Sequence, residues 1–168
     1  MTTELTKADS EQVKLIFEYL TYLPESGEFW WTEKAPPKVR CRQAFARDQR
    51  GYVCFKVGGR MYKAHRLAWL FVHGHFPNGH IDHIDGDITN NRISNLRDVA
   101  HSVNMQNQRK AMSSNSSGLL GVSPNGSRWR AEIRVHGKKK YIGTFDTPQQ
   151  AHEAYLIAKR QHHEGCTI

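Results

Sequence analysis

The sequence predicts an α+β chain made of two small modules, and three observations carry the prediction. Apolar residues recur at helical spacing near the N-terminus and again between His65 and His73. Between and after these helices, short alternating runs bounded by glycine read as strands. A small polar stretch, AMSSNSS at 111–117, has little to bury and sets off a C-terminal part with its own order of three strands and one helix. The expected divisions are an N-terminal helix and β-hairpin region at 1–64, a central module at 65–110, a linker at 111–117 and a C-terminal module at 118–165. With 168 residues, 38% of them hydrophobic, each core must be modest.

Taken in order, Asp9 or Ser10 is placed to cap a helix in which Val13, Ile16, Phe17 and Leu20 recur, ending near Pro24. After a turn at Glu25–Gly27, GEFWW reads as a short aromatic strand, and Ala35–Arg50, with Pro36, Pro37 and many charges, reads as an irregular cationic loop. Val53, Phe55 and Val57 alternate with Tyr52, Cys54 and Lys56, and Gly58-Gly59 supplies a tight hairpin before RMYKA returns. His65–His73 suits a buried helix with Gly74 as its left-handed C-cap; His65 and Arg66 open it and read first as packing or capping residues.

Charge narrows the partner. Lys and Arg total 24 against 16 Asp and Glu, a formal net charge of +8, which favours an acidic polymer. From Arg109 to Lys140 there are eight basic residues and one acid, Glu132, so the excess is a local patch. Cys41, Cys54 and Cys166 are odd in number and form no CxxC pair, which argues against a disulfide framework or a cysteine zinc site. No signal peptide or apolar run of spanning length is present, so a soluble intracellular protein is expected.

The densest chemistry lies between His80 and Gln108, where His80, Asp82, His83 and Asp85 fall within six positions. Phosphodiester hydrolysis needs a base for water, a cation against the developing charge and a group that fixes the tautomer of the base. Residues of all three kinds stand here. In a regular strand Asp82 and His83 point to opposite faces, so both serve one site only if the strand ends there; Asp85-Gly86 supplies the turn. Ile93–Arg97 reads as a second short strand and Ser102–Lys110 as a polar helix on which Asn104, Asn107 and Gln108 share a face, completing a β-β-α unit. His73, His75, His80 and His101 match no usual zinc spacing, Asp85 shapes the turn, and Asn90 and Asn91 hold the loop together.

The segments IDHIDGDITNNRISNLR (81–97) and SVNMQNQ (102–108) resemble the HNH endonucleases of the ββα-metal fold, in particular the homing type, whose pattern runs IDHxDGxxxNNRxxNLR and then SxxxNxxN. The first half matches without a gap; the helix part fits only loosely, its asparagines being Asn104 and Asn107. The resemblance implies that His83 is the general base, that Asp82 is a carboxylate ligand of one divalent cation, and that Asn95 hydrogen-bonds the His83 ring to orient it. Asn104, standing where many members have a final histidine, would be the other protein ligand. Such carboxylate and amide oxygens suit Mg²⁺ or Mn²⁺ better than zinc.

From Gly118 the expected order is GLLGVS, SRWRAEIRVHG and KKKYIGTFD as three antiparallel strands, packed on one helix from Pro148. Trp129, Ala131, Ile133 and Val135 form an apolar face, opposite Arg128, Arg130, Glu132 and Arg134. Thr147, Pro148 and Gln150 make an N-cap, first-turn proline and capping box, and Ala151, Ala154, Tyr155 and Ala158 form a narrow apolar stripe. The segment GVSPNGSRWRAEIRVHGKKKYIGTFDTPQQAHEAY is similar to the APETALA2/ethylene-response-factor DNA-binding domain. That resemblance implies DNA contacts from Arg128, Arg130, Glu132, Arg134, Lys139 and Tyr141, with Trp129, Ile133, Ile142 and Phe145 in the core. The basic segment before Trp129 is shorter here and Tyr141 stands where the family often has tryptophan, so base preference does not transfer.

Together the resemblances imply a metal-dependent endonuclease of the homing type, as carried by phages and mobile elements, acting on double-stranded DNA. The expected form is a monomer or weak dimer, with no membrane association and no small-molecule cofactor, working in the cytoplasm of the cell or host. The competing class is a DNA-binding regulator with a non-catalytic HNH scaffold; the intact Asp82, His83, Asn95 and Asn104 speak against it. An RNA partner fits the charge, but the aromatic stacking pattern of common RNA modules is missing.

Overall fold

Helix α1 (Lys7–Tyr19) opens the computed structural model, which describes residues 7–39, 46–111 and 115–167. The protein is a mixed α+β chain with small sheets and, among the described residues, four helices; it divides into two units, Met1–Asp98 and Val99–Ile168. Cys41 lies outside the described residues, while Cys54 and Cys166 are free thiols. No helix among the described residues is long and apolar enough to cross a membrane.

The first unit departs from expectation at its start. Asp9 lies in the first turn of α1 rather than before it, and its carboxylate pairs with Arg60 at 3.2 Å. The helix stops at Tyr19, and Leu20–Leu23 continues as strand β1, paired antiparallel with β2 (Glu28–Trp31). Helical spacing does not separate these outcomes; the pairing of Tyr22 with Phe29 decides, burying Leu20 and Tyr22 in strand alternation on one face.

The loop expected at Ala35–Arg50 contains a two-residue strand, β3 (Ala46–Arg47), paired with β4 (Val53–Val57). Its residues 40–45 lie outside the described residues. Asp48 accepts the amides of Arg50 and Tyr52, which turns the chain into β4. β4 returns through the glycine hairpin into β5 (Arg60–Lys63), with Phe55 opposite Tyr62. Helix α2 (Ala64–His73) follows at once and ends on Gly74, whose amide reaches the Leu70 carbonyl.

Ile16, Leu20, Phe29, Phe55, Val57, Leu67, Ala68 and Leu70 form the core of this unit. Truncating one of the fully buried leucines to alanine costs about 2–5 kcal/mol, a large share of a small unit's stability. β6 (His80–His83) lies over this core through Ile81 and pairs with β7 (Leu96–Val99) through Leu96 and its neighbours. Ile93–Asn95, expected as the start of that strand, forms a single 3₁₀ turn instead, because the Asn95 side chain is drawn back to the preceding loop.

The second unit begins with α3 (His101–Gln106), four residues shorter at its C-terminal end than the expected Ser102–Lys110. Asn107 is its C-cap and is buried, not a helical residue sharing a face with Asn104. The residues that would continue the helix are bonded to the chain end: the Gly165 amide donates to Gln106 Oε1, Thr167 Oγ1 to Asn107 Oδ1, and Lys159 Nζ to the Gln108 carbonyl.

The three-stranded antiparallel sheet runs β10 (Lys138–Phe145), β9 (Arg128–Val135), β8 (Val122–Asn125), with α4 (Pro148–His162) packed on it. Gly118–Gly121 is a turn rather than the start of β8, organised by Asn115 and Ser117, which bond the carbonyls of Leu119 and Val122. Thr147 and Gln150 form the reciprocal capping box, with Pro148 in the first turn of α4. Val122, Ala131 and Ala151 pack together with Trp129, Ile142 and Phe145 beside them. Alanine at 151 is what lets the helix approach the sheet this closely.

Candidate active site

β6 ends on the two residues that matter. Asp82 is 4% exposed and His83 5%, so neither is the surface residue its type would suggest. As alternation requires, they meet different neighbours. The Arg97 guanidinium on β7 grips Asp82 Oδ2 at 2.7 and 2.8 Å. His83 lies against His65, ring centroids 5.2 Å apart and nearly perpendicular, and against Tyr52 at 6.2 Å.

The loop after β6 is a web of side-chain turns. Gly86 N closes on the His83 carbonyl at 2.9 Å. Asp85 accepts from Asp87 N, Asn90 Nδ2 and Asn95 Nδ2, while its own amide donates to Asn95 Oδ1. Burial raises the pKa of Asp85, but these bonds and the nearby His83 outweigh it and hold the carboxyl below its usual range.

The expected bond from Asn95 to the His83 ring is not the one formed. Asn95 ties Asp85 to the Asn90 carbonyl, and Asn91 meets the ring instead, with its Oδ1 3.3 Å from His83 Nε2. The orientation of the Asn91 amide is set by its other end: Nδ2 donates to the Thr89 carbonyl at 3.1 Å, so the oxygen faces the histidine. An amide oxygen only accepts; Nε2 therefore carries the proton and Nδ1 the lone pair. Burial is the main cause that lowers the His83 pKa, outweighing the Asn91 bond and the carboxylates of Asp85, Asp82 and Asp87. A neutral imidazole with a defined basic nitrogen results.

Asn91 is itself held from the N-terminal hairpin. The Tyr22 hydroxyl donates to the Asn91 carbonyl at 2.7 Å, and burial raises that phenol to about 12, so it stays a donor. Ile93 N donates to the Pro24 carbonyl, and Gly27, at φ 76°, lies where a Cβ would stand 2.5 Å from Arg92 N. Glycine is required there by conformation and by space. Sequence alone does not assign Asn91, Tyr22, Arg97 or His65 to the site; the one signal pointing to Asn91 is its place in the NNR run beside the acid–histidine pair.

Asn104 is half-buried on α3, in the second unit. Among the described residues no three His, Cys, Asp or Glu side chains gather as a metal site. The carboxylates that act on His83 are those of Asp85, Asp82 and Asp87. In the second unit the register sets Arg134 opposite Lys139, Glu132 opposite Tyr141 and Arg130 opposite Thr144, so all six residues expected to touch DNA share one sheet face. Arg128 pairs with Asp146 at 2.8 Å, Arg130 lies 3.7 Å from Glu132, and Tyr141 is bonded to Thr144 and largely exposed.

The family model for HNH endonuclease matches residues 62–106, a span that includes α2, β6, the loop and α3. Protein 3.8 of Escherichia phage T7 is 38% identical over 109 residues, covering 61% of this chain and 89% of that protein. No solved structure matches. The chain thus belongs to the same family as Protein 3.8 of phage T7, and its residues 62–106 are an HNH endonuclease domain.

Proposed function

We propose that the chain is a homing-type, divalent-metal-dependent endonuclease that hydrolyses phosphodiester bonds of duplex DNA, with an APETALA2-like DNA-binding module at 118–165. The observation that carries the reading is the buried Asp82–His83 pair at the end of β6 with Asn91 Oδ1 facing His83 Nε2, an arrangement that suits Nδ1 as the base. HNH nucleases act on DNA and generally use a divalent metal ion. The buried Asp82 carboxylate offers hard oxygen donors, which suit Mg²⁺ or Mn²⁺, with Asp82 as ligand. On the motif alone, Asn104 is proposed as the second protein ligand.

In the proposed reaction His83 Nδ1 takes a proton from water as its oxygen attacks phosphorus. The P–O3′ bond breaks, and the 3′-oxygen leaves and is protonated by solvent, giving 5′-phosphate and 3′-hydroxyl ends. A bound divalent cation supplies charge neutralisation at the scissile phosphate. The cationic face of β9 and β10 would fix the duplex through phosphates before base edges.

The second reading, a DNA-binding regulator with an unused HNH scaffold, draws on the Asp82–Arg97 pair, which compensates the proposed ligand's charge without a metal. Supercoiled plasmid separates the two. Nicked or linear product with Mg²⁺, absent with EDTA and slowed roughly 10²- to 10⁴-fold by His83→Ala, is the expected result. Wild type that binds many DNA sequences with steep salt dependence and cuts none of them would move the conclusion to the regulator.

A further inference from the structure

We propose that His65 is a second functional imidazole of the His83 site, touching the scissile phosphodiester as a neutral hydrogen-bond donor; this rests on the nuclease reading above. His65 is the second residue of α2 and only 6% exposed. Among the described residues neither ring nitrogen of His65 has a hydrogen-bond partner. The ring nitrogens are not among the fully buried unpartnered atoms, so they keep access to solvent, and an unpartnered imidazole nitrogen beside a reacting group is open to a ligand. Its two ring neighbours are His83, nearly perpendicular at 5.2 Å, and Tyr52 at 5.3 Å. Both contacts would be made as well by a phenylalanine, so the ring contacts do not account for a histidine here.

The surroundings favour an anion. Lys63 and Arg66 act electrostatically on the His65 ring, and the Lys63 ammonium stands 4.2 Å over the Tyr52 ring that borders it. Burial first, then His83, Lys63 and Arg66, pushes the imidazole down to about 3, with Asp48 opposing. His65 is therefore neutral in use: it offers an N–H to a non-bridging phosphate oxygen and has no extra proton to hand to the leaving group. No bond is made or broken at this residue; it binds charge that develops on the phosphate.

His65→Phe keeps the ring contacts and removes the nitrogens, whereas His65→Asn keeps a donor and loses the ring. Plasmid cleavage by His65→Phe should show kcat lower by roughly 10²-fold with KM and melting temperature near wild type, the usual worth of one such donor. His65→Asn should recover at least part of that loss. His65→Phe cutting like wild type, or His65→Asn faring no better than His65→Phe, overturns the proposal. A readout on the unaltered chain is the ¹⁵N shift of the His65 ring nitrogens when duplex DNA is added in EDTA; a shift supports direct contact and unmoved resonances contradict it. Wild type inert with Mg²⁺ ends both readings, while activity abolished in His83→Ala and kept in His65→Phe ends only this one.

Discussion

At the end of β6 Asp82, His83, Asn91 and Asn95 are buried, whereas the charged side chains of β9 and β10 in the second unit largely face solvent and pair loosely. Asp82, His83, Asn91 and Asn95 are each under one-tenth exposed; Arg97 holds Asp82, Asn91 meets His83 and Asn95 holds Asp85. Arg128 and Asp146, by contrast, are 51% and 77% exposed in their ion pair, a geometry worth little in water. A group that must present one nitrogen to one water needs a rigid, dehydrated frame. A group that must track phosphates needs reach and an ion pair it can give up, and the two units differ in that respect.

If rigidity is what the first unit supplies, removing the tautomer-fixing amide should hurt most after loss of His83 itself. Asn91→Leu is expected to lower the cleavage rate by roughly 10- to 10²-fold, with DNA affinity unchanged, as loss of a ring-orienting partner usually does. Asn95→Ala should cost less rate and more stability, because Asn95 holds the Asp85 turn rather than the ring. Rates and melting temperatures of the two variants side by side test the assignment; an equal loss of rate in a fully folded Asn95→Ala would return the orienting role to Asn95.

That reversal of roles marks where the sequence stops being legible. The acid–histidine pair, the Asp85-Gly86 turn, the β4–β5 hairpin, α2 with Gly74 and the capping box of α4 all rest on local chemistry, and each is readable from neighbouring residues. Asn91 and Asn95 stand in one motif, and spacing does not say which amide turns toward the ring; the Thr89 carbonyl and the Tyr22 hydroxyl decide it. Leu20–Leu23 reads as helix because the partner strand that makes it β1 competes only after the chain turns at Gly27. The end of α3 reads too late for a similar reason, since its determinants, Lys159, Gly165 and Thr167, lie more than fifty residues away. Interactions distant in sequence leave no periodic trace.

The second unit should respond to mutation in the opposite manner. Replacing Arg128, Arg130 or Arg134 by alanine is expected to weaken binding of all duplexes alike and to reduce the salt slope by about 1 for each phosphate that the variant no longer neutralises. The turnover rate at saturating DNA should stay as in wild type, since none of the three belongs to the unit that holds His83. Fluorescence anisotropy over a salt series, paired with plasmid cleavage at saturation, measures both quantities. A variant with an unchanged slope and a reduced turnover would break the division of labour between the units.

The gentlest probe of the comparison is acid. The His65 pKa is lowered from 6.5 to about 3 in the folded chain, chiefly by burial, and His83 is shifted in the same direction. The unfolded chain therefore takes up these protons first, so stability is fully present above the unfolded value of 6.5 and falls as pH drops toward 3. For His65 alone, lowering the pH from about 7.5 to about 5.5 should cost about 1.4 kcal/mol, following the linkage slope. Thermal melts across that range should show the first unit destabilising, and His65→Phe should flatten the dependence. The exposed arginines of β9 do not titrate there, so the transition of the second unit should move less than that of the first. Equal shifts in both transitions would mean that the acid sensitivity does not come from the buried imidazoles.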